Sequence, residues 1–216
     1  MEKTDEWARE ATEAYVAAHI DAEPQELNEL YRRTHLRHLY PRMCSGHVQG
    51  RVLAMLSWML RPERVLELGS YTGYSALCLA EGMPEGGRLD TVEIDDEMED
   101  ELRETFASVR RPAEIVLHIG DAMEVVPRLE GEWDLVFIDA NKRLYCDYFE
   151  LVVERVRPGG FIIADNTLWG GKMACGGADD AQSREIARFN ELVAHDSRVS
   201  RVILPLRDGM TVMRRL

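Results

Sequence analysis

Short apolar runs alternate with longer stretches of helical periodicity from residue 64 onward. This alternation is typical of strands separated by helices, and it predicts an α/β fold with a parallel, doubly wound sheet and right-handed crossovers. We expect ligands to bind at the carboxyl ends of the strands of such a sheet. The predicted strands span residues 64–68, 88–94, 113–118, 133–138 and 160–164, and the helices between them span residues 73–82, 96–109, 122–129 and 144–156.

The last part of the chain has a different pattern, which follows the glycine-rich segment 170–177. A helix is predicted near residues 182–195, a strand near 199–205 and a final strand near 210–214. The sequence Arg-Asp-Gly at 207–209 separates the two apolar runs, and Asp-Gly in that position is a strong hairpin signal. We therefore predict a C-terminal antiparallel hairpin at one edge of a mostly parallel sheet.

Three amphipathic segments precede the sheet, because apolar residues recur there at helical spacing. Pro24 suits the first turn of the second helix, and Ser45 is a candidate N-cap for the third. We interpret the apolar stripes as packing surfaces. The stripes consist of Trp7, Ala11, Ala14, Tyr15 and Ala18, then Leu27, Leu30, Tyr31 and Thr34, then Val48, Val52, Met55, Leu56 and Met59.

Length and composition suit one domain over residues 1–216, with N-terminal helices in 1–60 and the α/β core in 61–216. The chain is 45% hydrophobic, enough to bury a core, but it lacks the roughly 20 consecutive apolar residues of a membrane span. Its first residues are acidic, which disfavours a signal peptide. Four scattered cysteines without CxxC spacing indicate reduced thiols, so we expect a cytoplasmic protein.

The formal net charge of −13 limits the choice of partners. A chain this acidic repels phosphate backbones unless its cations form one patch, and only the neighbourhood of Arg32, Arg33, Arg37 and Arg42 is locally basic. We therefore favour a small-molecule substrate and keep a nucleic acid as an alternative.

Polar side chains follow two of the predicted strands. Asp139 and Lys142 come after the fourth strand, and Asp165 and Asn166 come after the fifth. Carboxylate and amide oxygens at one sheet edge suit a divalent cation such as Mg²⁺. Asp and Asn at strand ends are also ordinary turn and cap residues, so these residues alone leave both interpretations open.

A glycine-punctuated turn follows the first predicted strand, with Gly69 and Gly73 flanking Tyr71. The dinucleotide fingerprint has a glycine at its middle position, which allows close approach to a pyrophosphate. Tyr71 disfavours that ligand, and with it a nicotinamide dehydrogenase. Glu93 lies twenty residues after Gly73, where a carboxylate can accept hydrogen bonds from both hydroxyls of a ribose. Gly120-Asp121-Ala122 closes the third strand, where a small residue leaves room for an adenine ring.

Four motifs lie between Met43 and about Met173. They are Glu67-Leu68-Gly69-Ser70-Tyr71-Thr72-Gly73-Tyr74-Ser75, Phe137-Ile138-Asp139-Ala140-Asn141-Lys142 with Tyr145, Arg157-Pro158-Gly159-Gly160, and Asp165-Asn166-Thr167-Leu168-Trp169. With these motifs the chain resembles the cation-dependent class I S-adenosylmethionine O-methyltransferases, which include catechol and caffeoyl-coenzyme A O-methyltransferases and bacterial relatives. The resemblance implies a Rossmann-like methyltransferase sheet, N-terminal helices that cover the acceptor pocket, and a homodimer.

The resemblance also implies which residues bind S-adenosylmethionine. It assigns a group around the methionine and ribose, Glu93 to the ribose hydroxyls, a pair near adenine, and a segment that closes over the donor. The residues around the methionine and ribose are Glu67, Gly69, Tyr71 and Ser75, and the pair near adenine is Asp121 and Ala122. The segment that closes over the donor contains Met43 and Ser45, and Asp139 is expected at both the donor and the metal.

On the acceptor side the resemblance implies a divalent cation held by Asp139, Asp165 and Asn166. We expect Mg²⁺, with Mn²⁺ or Ca²⁺ as alternatives. A cation there would bind both oxygens of a vicinal diol on a hydroxylated aromatic molecule and activate one of them. Lys142 is the candidate general base or phenolate-stabilising residue. Asn166 and Trp169 are the other candidate substrate contacts.

Two departures from the family pattern leave alternatives open. Asn141 replaces a common aspartate, and the 170–177 segment is unusually rich in glycine. One alternative keeps the machinery but methylates tRNA hydroxyuridine. Another is an S-adenosylmethionine-binding protein with little catalysis. The six histidines are interpreted as structural or surface residues, and among them we expect only His47 near the donor site.

Overall fold

A seven-stranded sheet forms the centre of the protein in the computed structural model, which describes residues 2–177 and 179–216, with side chains from residue 11 onward. The strands are β1 (Arg64–Leu68), β2 (Arg88–Glu93), β3 (Glu114–Ile119), β4 (Trp133–Ile138), β5 (Val156–Asp165), β6 (Val199–Leu204) and β7 (Met210–Arg215). Their order across the sheet is β3-β2-β1-β4-β5-β7-β6. The first five are parallel, and β7 is antiparallel to both β5 and β6.

Helices precede the sheet and connect its strands. The α-helices are α1 (Glu2–His19), α2 (Gln25–Arg37), α3 (Gly46–Leu60), α4 (Tyr74–Glu81), α5 (Glu99–Ser108), α6 (Ala122–Val125), α7 (Tyr145–Val153) and α8 (Ala181–His195). Short 3-10 helices cover Pro41–Met43, Asp96–Met98, Val126–Arg128 and Lys142–Leu144. Within the described residues, none of the helices combines the length and the apolar character needed to cross a membrane.

The doubly wound sheet and its C-terminal hairpin confirm the predicted fold class. One boundary was wrong, because α7 ends at Val153 and β5 already begins at Val156, whereas the sequence predicted a helix over 144–156 and a strand over 160–164. The early part of β5 pairs Val156 with Trp133, and the register shifts before Leu135. Its sequence is charged and rich in glycine, so the irregular pairing has no apolar alternation to reveal it.

Apolar clusters cover both faces of the sheet, as a parallel sheet requires. Leu66 and Leu68 of β1 pack on one side with Trp133, and Val65 packs on the other side with Phe137. The chain leaves β1 toward β2 on one side, while β4 lies on the other side of β1. This reversal of direction opens a crevice at the carboxyl ends of β1 and β4, where ligands of doubly wound sheets bind.

The three N-terminal helices bury less of their large apolar residues than predicted. Helix α2 buries Leu27 and Leu30 as expected, but the described part of the α1 stripe is exposed, with Tyr15 65% exposed. The Trp7 side chain lies outside the described side chains. Ser45 occupies the N-cap position of α3 as predicted, but it has helical backbone angles and its side chain makes no cap hydrogen bond.

The predicted packing face of α3 was only partly right: Val52 and Leu56 are half-buried against the core, but Met55 and Met59 are exposed. The buried positions of the helix are Leu53 and a set of small or polar residues: Gly46, Gln49, Gly50, Ala54 and Ser57. A side chain at Gly50 would lie 2.7 Å from the Tyr74 ring and 2.9 Å from the Cys78 sulfur, so glycine lets α3 pack closely against α4. The close packing requires small residues on the face toward α4 and leaves Met55 and Met59 outside that contact.

Candidate functional site

A cavity of about 1300 Å³ opens at the carboxyl edge of the sheet. Its walls come from the loops after β1 to β5, from residues 37–45 and from the turn between β6 and β7. We call one part the glycine-loop end, formed by residues 69–75, Glu93 and residues 120–122. The other part is the acidic end, formed by Asp139, Lys142, Asp165, Asn166 and Trp169.

The turn after β1 lies directly against the loop after β4. Gly69 has φ +96°, and a Cβ atom there would lie 2.3 Å from the Asp139 carbonyl oxygen. Only glycine combines this backbone conformation with so close an approach. The Gly69 amide donates to the Val92 carbonyl oxygen at 2.9 Å, and the Asp139 amide donates to the Leu68 carbonyl oxygen at 2.9 Å. Gly69 therefore brings the two ends of the cavity together.

Glu93 ends β2 with its carboxylate held by backbone amides. One oxygen accepts from the Tyr71 amide at 2.7 Å, and the other accepts from the Asp95 amide at 3.0 Å. The residue lines the cavity but is only 8% exposed. The Tyr71 backbone, with φ +49°, thus depends on Glu93 for its conformation. The predicted ribose-binding position is a preorganised carboxylate at the cavity wall.

Glu67 lies below the cavity and is not among the residues that line it. Its side chain is fully buried, and burial raises the pKa of Glu67 to about 7. One carboxylate oxygen accepts from the Thr91 hydroxyl at 2.5 Å, and that hydroxyl also bonds Ser70 in the glycine turn. The other oxygen has no hydrogen-bond partner among the described residues. Glu67 therefore supports the glycine turn from beneath.

The other predicted donor-side residues line the glycine-loop end. Ser75 lies in the first turn of α4, and Asp121 caps α6 by accepting from the Met123 amide at 2.8 Å. Ala122 is buried next to that cap. Met43, at the end of a short 3-10 helix, is 55% exposed and covers the cavity from the N-terminal side.

At the acidic end, Asp139 and Lys142 form an ion pair with 2.5 Å between the carboxylate oxygen and Nζ. Lys142 Nζ also donates to the Tyr145 hydroxyl oxygen at 2.8 Å, and that hydroxyl donates to the Asp165 carbonyl oxygen at 3.0 Å. An ammonium group has three donors, so one N–H remains for a ligand. The short 3-10 helix that begins at Lys142 holds its side chain beside the carboxylate.

Asp165 ends β5 and Asn166 follows it, both next to the end of β4, because Ile138 pairs with Ala164 in the register. The Asp165 carboxylate accepts from the Asn166 amide at 2.8 Å. Burial, and after it the nearby charge of Asp139, raise the pKa of Asp165 above its usual range. Two carboxylates that repel each other, beside a carboxamide, are a donor set that a hard divalent cation fits.

The described residues contain no group of three or more His, Cys, Asp or Glu side chains arranged for a metal ion. The acidic end therefore offers two carboxylates and the neutral Asn166 as its oxygen donors. Asn141 lines the cavity beside them, and its side-chain oxygen accepts from the Arg143 amide at 3.1 Å. This amide thus caps the short helix that carries Lys142.

Trp169 lines the acidic end and also packs against the apolar cluster on the sheet face that carries Leu66 and Leu68. Its backbone has φ +47°, and its amide donates to the Asn166 and Asp208 carbonyl oxygens, both at 3.1 Å. The half-buried indole is therefore anchored to the protein on one side and borders the cavity on the other.

Sequence reasoning named the wrong histidine. His47 hydrogen-bonds the Asp21 carbonyl oxygen at 2.8 Å and is not among the cavity-lining residues, whereas His38 lines the cavity. The His38 ring stands edge-on to the Tyr71 ring at 5.5 Å, and its Nε2 lies 3.1 Å from Glu101. No local pattern identifies His38, because its contacts are with residues that follow β1 and β2.

Two further polar residues near the site were missed. Gln49 in α3 donates from Nε2 to the Asp165 carboxylate at 2.6 Å, and Arg207 donates to the Gln49 oxygen at 2.9 Å. Both contacts join residues more than a hundred positions apart. The predicted apolar stripe of α3 did not include Gln49, so the sequence carried no signal for its contact with Asp165.

Comparisons with known proteins agree with this geometry. A family model described as O-methyltransferase matches residues 17–216. A caffeoyl-CoA O-methyltransferase from Stellaria longipes is 30% identical over 205 residues, covering 90% of this chain and 85% of the relative.

Two solved structures are similar over almost the whole chain. The methyltransferase PaMTH1 of Podospora anserina, bound to S-adenosylhomocysteine, has a TM-score of 0.89 and 27% identity, and the match covers 98% of this chain and 96% of that protein. An O-methyltransferase of Bacillus cereus in complex with S-adenosylhomocysteine has a TM-score of 0.87 and 27% identity, with 95% and 97% covered.

Proposed function

Because this chain belongs to the S-adenosylmethionine-dependent O-methyltransferase family, we propose that it methylates a hydroxyl of a catechol-like small molecule with the help of a divalent cation. The observation that carries this proposal is the acidic end of the cavity. There Asp139, Lys142, Asp165 and Asn166 meet next to the glycine turn. This arrangement puts oxygen donors for a cation beside the expected methyl-donor site.

The donor occupies the glycine-loop end in this proposal. S-adenosylmethionine supplies an electrophilic methyl group on its sulfonium when it is bound. Glu93 accepts hydrogen bonds from the ribose hydroxyls, and Asp121 with Ala122 borders the adenine. The close approach of Gly69 to Asp139 sets the distance between donor and acceptor, which is the main requirement of an in-line displacement. Tyr71, Ser75 and Met43 complete the donor site, while Glu67 holds the turn through Thr91 and Ser70.

The acceptor occupies the acidic end. Asp139, Asp165 and Asn166 would hold a divalent cation, which would lower the pKa of an acceptor hydroxyl. Lys142 as an ammonium donates its free N–H to the oxyanion, whose proton passes to solvent; alternatively Lys142 first loses a proton to solvent, and its neutral amine takes the hydroxyl proton. The attacking oxygen forms its bond to the methyl carbon as the bond from carbon to sulfur breaks. Trp169 offers an aromatic face for an aromatic acceptor.

The test compares acceptors and metals in one assay. Methyl transfer from radiolabelled S-adenosylmethionine is measured on a panel of vicinal diols and on matched phenols that lack one hydroxyl. We expect transfer to the diols only, loss with EDTA, and recovery with Mg²⁺ or Mn²⁺. Equal transfer in EDTA would exclude the cation requirement, and methylation of tRNA hydroxyuridine but of no diol would replace the proposed acceptor.

Asp165→Asn is the variant that addresses the cation. It keeps the size of the side chain but removes a charge, so we expect loss of metal-dependent turnover and unchanged affinity for S-adenosylhomocysteine. Asp147→Asn is the matched control, because Asp147 is exposed in α7. A normal, EDTA-sensitive rate for Asp165→Asn would contradict the assignment.

Lys142→Met addresses the proton or oxyanion role. We expect kcat to fall by about 10²- to 10⁴-fold, since that is the usual contribution of a positioned acid or base, with no change in S-adenosylhomocysteine affinity. Lys172→Met is the control, because Lys172 is half exposed and pairs with Asp180 outside the cavity. Equal rates for both variants would assign Lys142 a structural role only.

A further inference from the structure

Gln49 connects helix α3 to the acidic end. The side chain is only 1% exposed, and its Nε2 donates to Oδ2 of Asp165 at 2.6 Å. The other carboxylate oxygen, Oδ1, accepts from the Asn166 amide. Two donors from different parts of the chain therefore fix the rotation of the Asp165 carboxylate.

Arg207 fixes the orientation of the Gln49 amide in turn. Arg207 lies in the turn between β6 and β7, and its Nη1 donates to Gln49 Oε1 at 2.9 Å. A guanidinium has donors and no acceptor, so the amide oxygen must face Arg207. The amide nitrogen is then directed at Asp165. Without Arg207 the amide could rotate and turn its oxygen toward the carboxylate, which would repel it.

The same guanidinium holds a segment of the cavity wall. Nη1 donates to the Cys44 carbonyl oxygen at 3.2 Å and also to that of Ser45, and Nη2 donates to the Arg42 carbonyl oxygen at 3.4 Å. These carbonyls belong to the segment that covers the cavity on the N-terminal side. Arg207 thus connects this segment, helix α3 and the acidic end through one side chain.

We propose that Gln49 and Arg207 are positioning residues that orient the Asp165 carboxylate for the divalent cation. This inference depends on the proposed function, because it requires a cation at the acidic end. Neither residue needs to touch the cation or the acceptor. Groups that hydrogen-bond a metal ligand direct its lone pairs, and their loss typically weakens metal affinity by about 10- to 100-fold.

The test measures Mn²⁺ affinity by electron paramagnetic resonance at saturating S-adenosylhomocysteine. We expect Gln49→Leu to weaken Mn²⁺ binding by about 10- to 100-fold. Gln49→Glu should lose affinity as well, because it still accepts from Arg207 but cannot donate to Asp165. Arg207→Met should weaken binding through the freed amide, and adding it to Gln49→Leu should cost little more, since coupled residues are not additive.

Ser57→Ala is the matched control within the same helix. The Ser57 hydroxyl is buried and donates to the Leu79 carbonyl oxygen at 2.6 Å, away from the cavity. We expect this variant to lower Tm about as much as Gln49→Leu while its Mn²⁺ affinity stays that of the wild type. If Ser57→Ala lost Mn²⁺ affinity in proportion to its decrease in Tm, the weaker binding of Gln49→Leu would be explained by general destabilisation.

The outcomes separate the two proposals. If the wild type binds no Mn²⁺, the cation requirement of the proposed function fails, and the positioning role fails with it. If the wild type binds Mn²⁺ and Asp165→Asn does not, but Gln49→Leu and Gln49→Glu bind normally, only the positioning role is overturned. Should Gln49→Leu not fold, Gln49→Glu and Arg207→Met decide the question by the same measurement.

Discussion

At the scale of single residues, Gly69 has the closest backbone approach in the site. A Cβ atom at this position would lie 2.3 Å from the Asp139 carbonyl oxygen and would push apart the loops after β1 and β4. Gly86 offers a control, because it also has positive φ, +81°, but no heavy atom of the described residues lies within 4 Å of a Cβ there. The two glycines separate steric conflict from backbone strain.

We predict that Gly69→Ala is more destabilising than Gly86→Ala and that it weakens S-adenosylhomocysteine binding. The Gly86 change should cost about 1 to 2 kcal/mol for a left-handed conformation, and Gly69→Ala should cost that plus the displacement of Asp139. Urea unfolding and calorimetric titration measure the two quantities. Equal unfolding free energies for Gly69→Ala and Gly86→Ala would mean that the loops after β1 and β4 separate without an energetic cost.

Glu67 gives a pH-dependent prediction. Its pKa is raised from 4.5 to about 7 by burial, so the charged form is disfavoured in the folded protein. Wild-type stability relative to Glu67→Gln is therefore highest below pH 4.5, declines as the pH rises to 7, and stays low above that. The total change is roughly 3 kcal/mol by the usual conversion of pKa to free energy.

Urea midpoints of the wild type and Glu67→Gln between pH 4 and 8 measure this difference. The variant should be more stable at pH 8 relative to the wild type than at pH 4, and it should bind S-adenosylhomocysteine less well. This is the usual conflict between stability and function at a site. A difference in stability that does not change with pH would mean that Glu67 ionises normally.

At the scale of elements, Asp90 joins three neighbouring strands. Its buried carboxylate in β2 accepts from Arg88 of the same strand and lies 2.8 Å from His118 Nε2 in β3 and 3.7 Å from Arg64 of β1. Burial acts to raise the pKa of Asp90, but the hydrogen bonds from Arg88 and His118 outweigh it and lower the pKa below 3.8.

We predict that Asp90→Asn lowers the free energy of unfolding at pH 7 by about 1 to 3 kcal/mol, the usual range for a hydrogen bond to a charged group. A lowered pKa stabilises the fold above the ordinary value of 3.8, and that contribution is lost as the pH falls below it. The deficit of the variant should therefore shrink as the pH falls below 3.8. If the difference in unfolding free energy between Asp90→Asn and the wild type did not change with pH in urea titrations, packing rather than charge would explain it.

Elements differed in how far the sequence predicted them. Strands β1 and β4 have the predicted ends, because each is a short apolar run bounded by polar residues. The start of β5 was missed, and so were the small and polar residues that α3 buries. In β5 the backbone pairs through a charged, glycine-containing stretch, and in α3 the neighbouring helix selects the small face for burial. Both depend on a partner element that periodicity does not contain.

At the scale of the whole molecule, residues 37–45 and the loops of the sheet close one cavity together. A ligand in the glycine-loop end therefore contacts parts of the chain that are far apart in sequence. The exposed end of α1, residues 11–19, lies outside that cavity wall. Ligand binding should therefore stabilise residues 37–45 and the loops of the sheet but not residues 11–19.

We predict that S-adenosylhomocysteine slows amide hydrogen exchange in residues 37–45 and 69–75 but leaves residues 11–19 unchanged. It should also stabilise the fold by about 2.7 kcal/mol at a hundredfold excess over Kd, as mass action requires. Exchange mass spectrometry and thermal unfolding, with NAD as the negative control, measure both effects. Protection by NAD, or protection confined to α1, would contradict the assigned donor site.

By itself the sequence determined the α/β class, the family, and the positions of Asp139, Asp165 and Glu93 at strand ends. These follow from local periodicity and from motifs, since parallel strands bring their carboxyl ends to one edge whatever the details of packing. The resemblance implied the roles of these residues, and the proposed assays test them.

Only the tertiary structure decided what surrounds those residues. In the structure Glu67 lies beneath the glycine turn and does not line the cavity, and His38 rather than the predicted His47 lies at the cavity wall. The tertiary structure also joined Gln49 to Asp165 across 116 positions and Arg207 to Gln49 across 158. Such contacts arise when separate elements pack, and side-chain orientation depends on that packing rather than on the local sequence.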